Sequence, residues 1–224
     1  MSARAQARLI AQFGVFLLVT LLSVFLPAGR LGWANGWVFV AIISASVASV
    51  SFGIFASSPE LVRERKTAAK LAKRWDRVLV PLMSGLPLVS VVLAGLDKRF
   101  GWSHVPAVIV IAGNVLVAVG WLGIYRVFRE NSFTSATIEL APDQRVVSTG
   151  PYAIVRHPMY SAALVMLLGA PVALGSWWGL VALAVISPAL VWRMFDEEKF
   201  LAANLTGYAE YKQKVRYRLI PHLW

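Results

Sequence analysis

The sequence predicts an all-α fold, a polytopic bundle of about six membrane helices that forms a single domain over residues 1–224. Apolar residues occupy 58% of the 224 positions and charged residues only 15%. The charges are segregated along the chain, and five long runs contain none. Long apolar runs separated by charged segments are typical of helices that span a bilayer.

The five charge-free runs define the predicted elements in order. They are residues 9–28, 31–59, 78–96, 100–125 and 158–192. Each of the first four is long enough for one span. The last would make one helix of about 52 Å, whereas a hydrocarbon core is about 30 Å thick. We therefore predict a helical hairpin, broken around Gly169, Pro171 and residues 175–179.

Two connections and one span carry further local signals. Ser, Pro and Glu at 57–60 predict the start of a basic helix that lies on the membrane surface. Residues 131–149 are polar and contain Pro142, so we expect a cytoplasmic connection. The fourth span contains Gly113, Gly120 and Gly123, which permit close helix packing in lipid. We expect Asn114 in the same span to bond to a neighbouring helix.

The distribution of basic residues predicts the orientation. Of the 22 Lys and Arg residues, 19 lie in the N-terminus, residues 57–77, residues 126–156 and the C-terminal segment. Only Arg30, Lys98 and Arg99 fall on the other side. The positive-inside rule therefore places both termini in the cytoplasm. The net charge of +11 is explained by this topology and by contact with anionic lipid, not by nucleic acid.

Two features bear on processing and redox chemistry. The first apolar run follows Arg4 and Arg8 but is too long for a cleaved signal, so we expect a retained first helix. The chain contains no cysteine, which excludes disulfides and thiolate metal sites.

Two polar clusters bracket the predicted hairpin. The first is Gly-Pro-Tyr-Ala-Ile-Val-Arg-His-Pro-Met-Tyr at 150–160, and the second is Arg-Met-Phe-Asp-Glu-Glu at 193–198. Because a hairpin returns to the surface where it began, both clusters should build one site. Two adjacent carboxylates at the end of a membrane helix are costly, which favours a functional role for them.

These clusters carry a resemblance to a known family. The motif residues are Arg156, His157, Pro158 and Tyr160, followed after the hairpin by Arg193, Glu197 and Glu198. Together with Gly207, Tyr208, Tyr211 and residues 219–221, they resemble the isoprenylcysteine carboxyl methyltransferases. The resemblance covers residues 120–224, with Ala162 where the family has glycine. It implies an integral protein of a bacterial inner (plasma) membrane that uses S-adenosylmethionine.

The resemblance also implies residue roles. The cofactor would lie in a cytoplasmic pocket between helices, since the chain lacks a glycine-rich dinucleotide loop. The implied cofactor-binding residues are Tyr152, His157, Pro158, Tyr160, Glu197 and Glu198. Arg156 and Arg193 would bind the acceptor, with Arg156 and Glu197 as catalytic residues. Residues 1–119 would then serve mainly as scaffold, and residues 120–224 would hold the cofactor and the chemistry.

Three functions are compatible with these residues. Carboxyl O-methylation of an isoprenylcysteine-like acid is favoured, because an ionised carboxylate needs no base and a guanidinium orients it. Phospholipid N-methylation is the alternative, although an amine must first lose a proton. A transporter or non-catalytic protein is disfavoured, since no predicted span has a charge at its centre. The expected partners are a lipophilic or prenylated acceptor and membrane lipids, without nucleic acid or an obligate protein partner.

Structural roles and metal binding were the remaining alternatives for these side chains. Arg156 could anchor a lipid phosphate, Tyr160 could be a packed interface aromatic, and Arg193 could pair with Glu197 at a helix end. His157, Glu197 and Glu198 could ligate a metal, but no second histidine lies near in sequence. We expect no metal site.

Overall fold

The computed structural model describes residues 3–57, 76–131 and 144–224. All regular elements in these ranges are helical, which confirms the predicted all-α class. They are α1 (Ala3–Ala28), α2 (Ala34–Ser57), α3 (Asp76–Phe100), α4 (Ala107–Glu130), a 3-10 helix (Gly150–Ala153), α5 (Pro158–Ala173), α6 (Trp178–Asn204) and α7 (Tyr208–Lys214). Most of the predicted basic surface helix and most of the predicted 131–149 connection lie outside the described residues.

Four described helices are long and apolar enough to cross a membrane: α1, α2, α4 and α6. α5 is apolar but shorter, at 16 residues, and α3 occupies the position of the predicted third span. Large apolar side chains on α1, α4 and α6 stay exposed, among them Leu26, Val108 and Val185 at more than 70%. Lipid contact accounts for such surfaces, because exposed apolar patches of this extent are rare in water-soluble monomers. The chain is therefore an integral membrane protein.

The predicted hairpin is confirmed, and its break lies at the last of the predicted positions, the turn that begins near Gly175. α5 and α6 are joined by residues 174–177, and Gly175 adopts a left-handed φ of 77° in this turn. Gly169 and Pro171 do not break the chain, since both lie inside α5 and are buried. Pro171 lies in the last turn of α5, which ends two residues later, at Ala173.

Small residues bring α4 and α5 into close contact, as the glycines of the fourth span predicted. A Cβ at Gly113 would lie 2.4 Å from the backbone nitrogen of Ala173, and one at Gly120 would lie 2.6 Å from that of Met166. Ala162 packs against Gly123, where a Cβ would come within 2.8 Å of the alanine methyl. A bulkier residue at any of these glycines would push the helices apart.

Asn114 does not bond to a neighbouring helix, so this prediction is wrong. Its Nδ2 donates to the Val110 carbonyl 2.9 Å away in the same helix, and its buried Oδ1 has no hydrogen-bond partner among the described residues. The Val110 carbonyl lies one turn earlier in α4, and a short amide side chain reaches its second lone pair more easily than it reaches another helix.

The apolar core lies toward the end of the bundle opposite the polar clusters. Its buried members come from five helices, among them Phe25 of α1, Phe39 of α2, Ala94 of α3, Val117 of α4 and Ala173 of α5. The ring of Phe25 meets that of Trp33 edge to face at 6.4 Å. This packing fixes the scaffold and leaves the other end of α5 and α6 free to carry polar groups.

Asp97 ties the end of α3 to the hairpin turn. α3 continues through Phe100, so Asp97 lies in its last turn, where it is only 1% exposed. Its carboxylate accepts hydrogen bonds from the Ser103 backbone nitrogen at 2.8 Å, from the Ser103 hydroxyl and from the Ser176 hydroxyl at 2.5 Å. A buried carboxylate needs such partners, and here they also position the hairpin.

Candidate active site

The hairpin brings the two polar clusters together around Glu198. Arg156 and His157 lie just before α5, and Glu198 lies near the end of the antiparallel α6. The Arg156 Nε donates to Glu198 Oε1 at 2.7 Å, and the His157 Nε2 lies 3.3 Å from the same oxygen. The side chains of all three are at most 5% exposed. Residues more than 40 positions apart thus form one buried polar site, as predicted.

Two further cations face the second oxygen of Glu198. The Arg218 Nε lies 3.4 Å from Oε2 and the Lys212 Nζ lies 3.6 Å from it. Both belong to the segment after α6 and are partly exposed, unlike Arg156. A buried carboxylate is tolerated when good geometry and several donors offset its loss of hydration. Glu198 is therefore fully engaged by protein groups.

Arg156 also forms hydrogen bonds with the C-terminal segment. Its Nη1 donates to the carbonyl oxygens of Val215 at 2.9 Å and Arg216 at 2.8 Å. The backbone nitrogen of Arg156 donates to the Tyr217 carbonyl at 2.9 Å, and that of His157 donates to the Arg218 carbonyl at 3.0 Å. Residues 215–218 therefore run alongside residues 156–157 and close one side of the site. The Nη2 of Arg156 is the guanidinium nitrogen not used in these contacts.

Glu197 lies in a less crowded position than Glu198. Its Oε2 accepts a hydrogen bond from the Tyr160 hydroxyl at 2.9 Å, and the carboxylate is half-buried. The Tyr160 ring meets the His157 ring edge to face at 5.6 Å, as their spacing of three residues predicted. Arg193, 5% exposed, lies one helical turn before Glu197 and interacts with Tyr160. His157, Tyr160, Arg193, Glu197 and Glu198 thus line one region.

Tyr152 sits at the edge of this region. It belongs to the 3-10 helix, and its hydroxyl accepts a hydrogen bond from the Asn131 Nδ2 at 3.0 Å, at the end of α4. Its carbonyl oxygen accepts from the Tyr211 hydroxyl at 2.8 Å. The structure therefore joins Tyr152 to α4 and α7. Pro158 begins α5 and is buried directly after His157.

Tyr208 carries a buried hydroxyl without a hydrogen-bond partner among the described residues. The side chain is 4% exposed and packs with Tyr211 and Val215 beside α6. Burial, aided by the nearby charge of Glu198, raises the pKa of Tyr208, and burial also raises that of Tyr211. Both phenols therefore stay protonated and act as donors. An unsatisfied buried donor is rare and is explained when a bound group supplies the acceptor.

The predicted motif residues do not include all members of the site. Lys212, Arg218 and the carbonyls of residues 215 and 216 come from the C-terminal segment, where the sequence shows only a basic stretch. The resemblance in residues 207–221 was the one signal for this segment. Among the described residues, no group of three His, Asp or Glu side chains is arranged to hold a metal ion.

A comparison with protein families finds a match for the segment that contains the hairpin. Residues 108–206 match the phospholipid methyltransferase family, and they include both motifs from Arg156 to Glu198. The matched region is thus similar to that of membrane methyltransferases. This match confirms the resemblance to membrane methyltransferases found in the sequence. A comparison with curated proteins finds no match.

Proposed function

We propose that the protein transfers a methyl group from S-adenosylmethionine to a lipophilic carboxylic acid at the cytoplasmic face of the membrane. The observation that carries the proposal is the junction of Arg156, His157, Glu197 and Glu198 within the matched methyltransferase segment. An isoprenylcysteine-like acid is the favoured acceptor.

The donor set fits S-adenosylmethionine, which combines a cationic amino group, a carboxylate, ribose hydroxyls and a sulfonium. Glu197 accepts a hydrogen bond from the Tyr160 hydroxyl and keeps further accepting capacity, which suits the amino group or ribose. His157 and the unpartnered Tyr208 hydroxyl are donors for a carboxylate or ribose oxygen. We assign cofactor contact to Glu197, Tyr160, His157 and Tyr208, with Pro158 shaping the pocket. Glu198 then orients His157, and Tyr152 contributes from the pocket edge.

The acceptor side of the site would be cationic. Arg156 offers Nη2 to an incoming carboxylate while its other nitrogens hold Glu198 and the C-terminal segment. Arg193 is buried beside Tyr160 and supplies a second guanidinium to the same region. A carboxylate is already ionised at neutral pH, so these residues need only bind and orient it.

The reaction requires little of the protein beyond positioning and exclusion of water. S-adenosylmethionine, when bound, supplies an electrophilic methyl group on a sulfonium. Transfer of that methyl group to a carboxylate oxygen would displace the neutral thioether and would require no proton transfer by the protein. Arg156 and Arg193 hold the oxygen in line, and Tyr160, Tyr208 and the C-terminal segment exclude water. We assign Glu197 as catalytic because it would hold the methyl donor, S-adenosylmethionine, in position.

Phospholipid N-methylation is the second candidate, because the family model that matches residues 108–206 is named for phospholipid methyltransferases. An amine acceptor must lose a proton before attack, and Glu197 would be the nearest base not already enclosed by cations.

Cofactor binding tests the proposal directly. His157→Ala and Glu197→Ala should each weaken S-adenosylmethionine binding at least tenfold in calorimetry on detergent-purified protein, because each removes a charged or polar contact. Asp196→Ala, a change at the exposed neighbour of Glu197, should bind like the unaltered protein. Unchanged affinity for S-adenosylmethionine in both site variants would contradict the assignment of His157 and Glu197 to the cofactor pocket.

Parallel assays identify the acceptor. Purified protein would be incubated with radiolabelled S-adenosylmethionine and either a small prenylcysteine acid or an aminophospholipid. Base-labile label in the acid supports ester formation. Base-stable label in the aminophospholipid alone would replace the proposal with N-methylation.

A further inference from the structure

A groove lies between α4 and α5 on the side of the site that faces lipid. Its volume is about 270 Å³. Val119, Gly120 and Gly123 of α4 form one wall, and Ala162 and Val165 of α5 form the other. The groove exists because these positions carry small or short side chains where the helices approach most closely.

The lining is apolar except at two points. The Ser161 hydroxyl is internally satisfied, since it donates to the Leu219 carbonyl at 2.6 Å. Arg126 is exposed and makes no hydrogen bond or ion pair with another described residue. It lies near the end of α4 that is next to the polar site, so the groove has one cationic end and an apolar remainder.

The groove borders the segment that carries the first motif of the candidate active site. Val155 and Pro158, which line it, flank Arg156 and His157 on both sides in the chain. Val119 is 51% exposed on the outward side of α4, so the groove opens toward lipid. A ligand could therefore enter from the bilayer and bring its polar end to the segment that carries Arg156.

We propose that this groove admits one apolar chain of an anionic lipophilic acceptor from the bilayer, with Arg126 contacting the carboxylate at the groove mouth before it reaches Arg156. A cavity of about 150 Å³ accommodates benzene, so this groove has room for a segment of about ten carbons. That is room for part of one chain, whereas two chains side by side would not fit. The inference rests on the proposed function and adds to it an entry site and a preference for single-chain acids.

Photo-cross-linking tests the groove without any need for methyl transfer. The probes are a long-chain fatty acid that carries a diazirine and the methyl ester of the same acid. We expect both to label peptides from α4 and α5, and Val119→Trp to reduce labelling at least fivefold. Leu122→Trp is the matched control, because Leu122 is equally exposed on α4 but does not line the groove. Equal labelling of these two variants would overturn the groove as a binding site.

A second pair of variants tests the anion contact. Arg126→Gln should reduce labelling by the acid about tenfold and leave labelling by the ester unchanged, because only the acid carries a charge. Arg129→Gln, one turn further along α4 and outside the groove, should change neither. Equal losses for acid and ester would overturn the role of Arg126. Displacement of the probe by a diacyl phospholipid as strongly as by a prenylated acid would overturn the single-chain preference.

The two proposals fail in different ways. Labelling that depends on Val119 and Arg126, without methyl transfer to any acid, would refute the proposed reaction and leave the groove in place. Methyl transfer to an acid that is unaffected by Val119→Trp would refute the groove and leave the reaction in place.

Discussion

Glu198 is the electrostatic centre of the site, because four basic side chains from three parts of the chain converge on one buried carboxylate. Arg156 and His157 precede α5, and Lys212 and Arg218 follow α6. Glu197, its neighbour in sequence, instead contacts Tyr160. Two identical adjacent residues therefore have different tasks: Glu198 assembles the site and Glu197 is available to a ligand.

Neutralising each carboxylate should separate these tasks. Glu198→Gln leaves Arg156 buried without its counter-charge, so we expect a loss of about 3 kcal/mol and a fall in the thermal midpoint of roughly 6–12 °C. Glu197→Gln should unfold near the temperature of the unaltered protein and show weaker S-adenosylmethionine binding. Thermal unfolding in detergent and calorimetry measure the two effects. Equal destabilisation by both changes would contradict the division of roles.

Tyr208 and Tyr211 allow a similar comparison of hydroxyl groups. Tyr208→Phe removes a hydroxyl that has no partner among the described residues, so stability should not fall, whereas cofactor affinity should drop about tenfold. Tyr211→Phe removes the hydrogen bond to the Tyr152 carbonyl and should cost about 1 kcal/mol of stability. The same two assays apply. A Tyr208→Phe variant with unchanged affinity would show that its hydroxyl does not face the cofactor.

At the scale of elements, the contact between α4 and α5 positions the first motif. α5 begins with Pro158, directly after Arg156 and His157, so any shift of α5 displaces both side chains. Gly113 and Gly120 set the distance between the two helices, because their missing side chains let backbone meet backbone. The Asp97 contacts with Ser103 and Ser176 hold the far end of the hairpin.

Substitution at Gly113 should disturb this contact measurably. In Gly113→Ala the new methyl would meet the backbone of Ala173 at 2.4 Å, which cannot be relieved by a side-chain rotation. We expect a loss of about 1–3 kcal/mol in the stability of the detergent-purified protein. Gly14→Ala is the matched control, since nothing lies within 4 Å of its added methyl. Similar thermal midpoints for both variants would argue against close packing at this interface.

At the scale of the whole molecule, apolar packing and polar chemistry occupy opposite ends of the bundle. The core that includes Phe25, Phe39 and Leu174 lies near the hairpin turn, and the Glu198 site lies at the other end of α5 and α6. The described basic residues at the end of α4, in α6 and in the C-terminal segment lie toward that same end, which the positive-inside rule assigns to the cytoplasm.

Topology reporters test this assignment. Fusions after Arg77 and Trp224 should report the cytoplasm, and a fusion after Arg99 should report the opposite side. The reason is the excess of 19 basic residues over three between the two sides. A C-terminal reporter on the outer side would contradict the predicted orientation of the hairpin.

The sequence by itself determined the helical class, the hairpin and the two motifs that meet in the candidate active site. The charge-free run of 35 residues is too long for one membrane span, so it folds back on itself as a hairpin. The two motifs at the ends of that hairpin therefore meet at one membrane surface. The glycines of α4 likewise predicted its close packing.

Only the tertiary structure decided the partners of these residues. Glu197 and Glu198 are indistinguishable in sequence, because their roles depend on which face of α6 meets the C-terminal segment. The convergence of Lys212 and Arg218 on Glu198, the contacts of Asp97 and the groove beside Arg126 depend on side chains brought together from distant positions. Local patterns predict helices and their faces, whereas such contacts are set by how the helices pack.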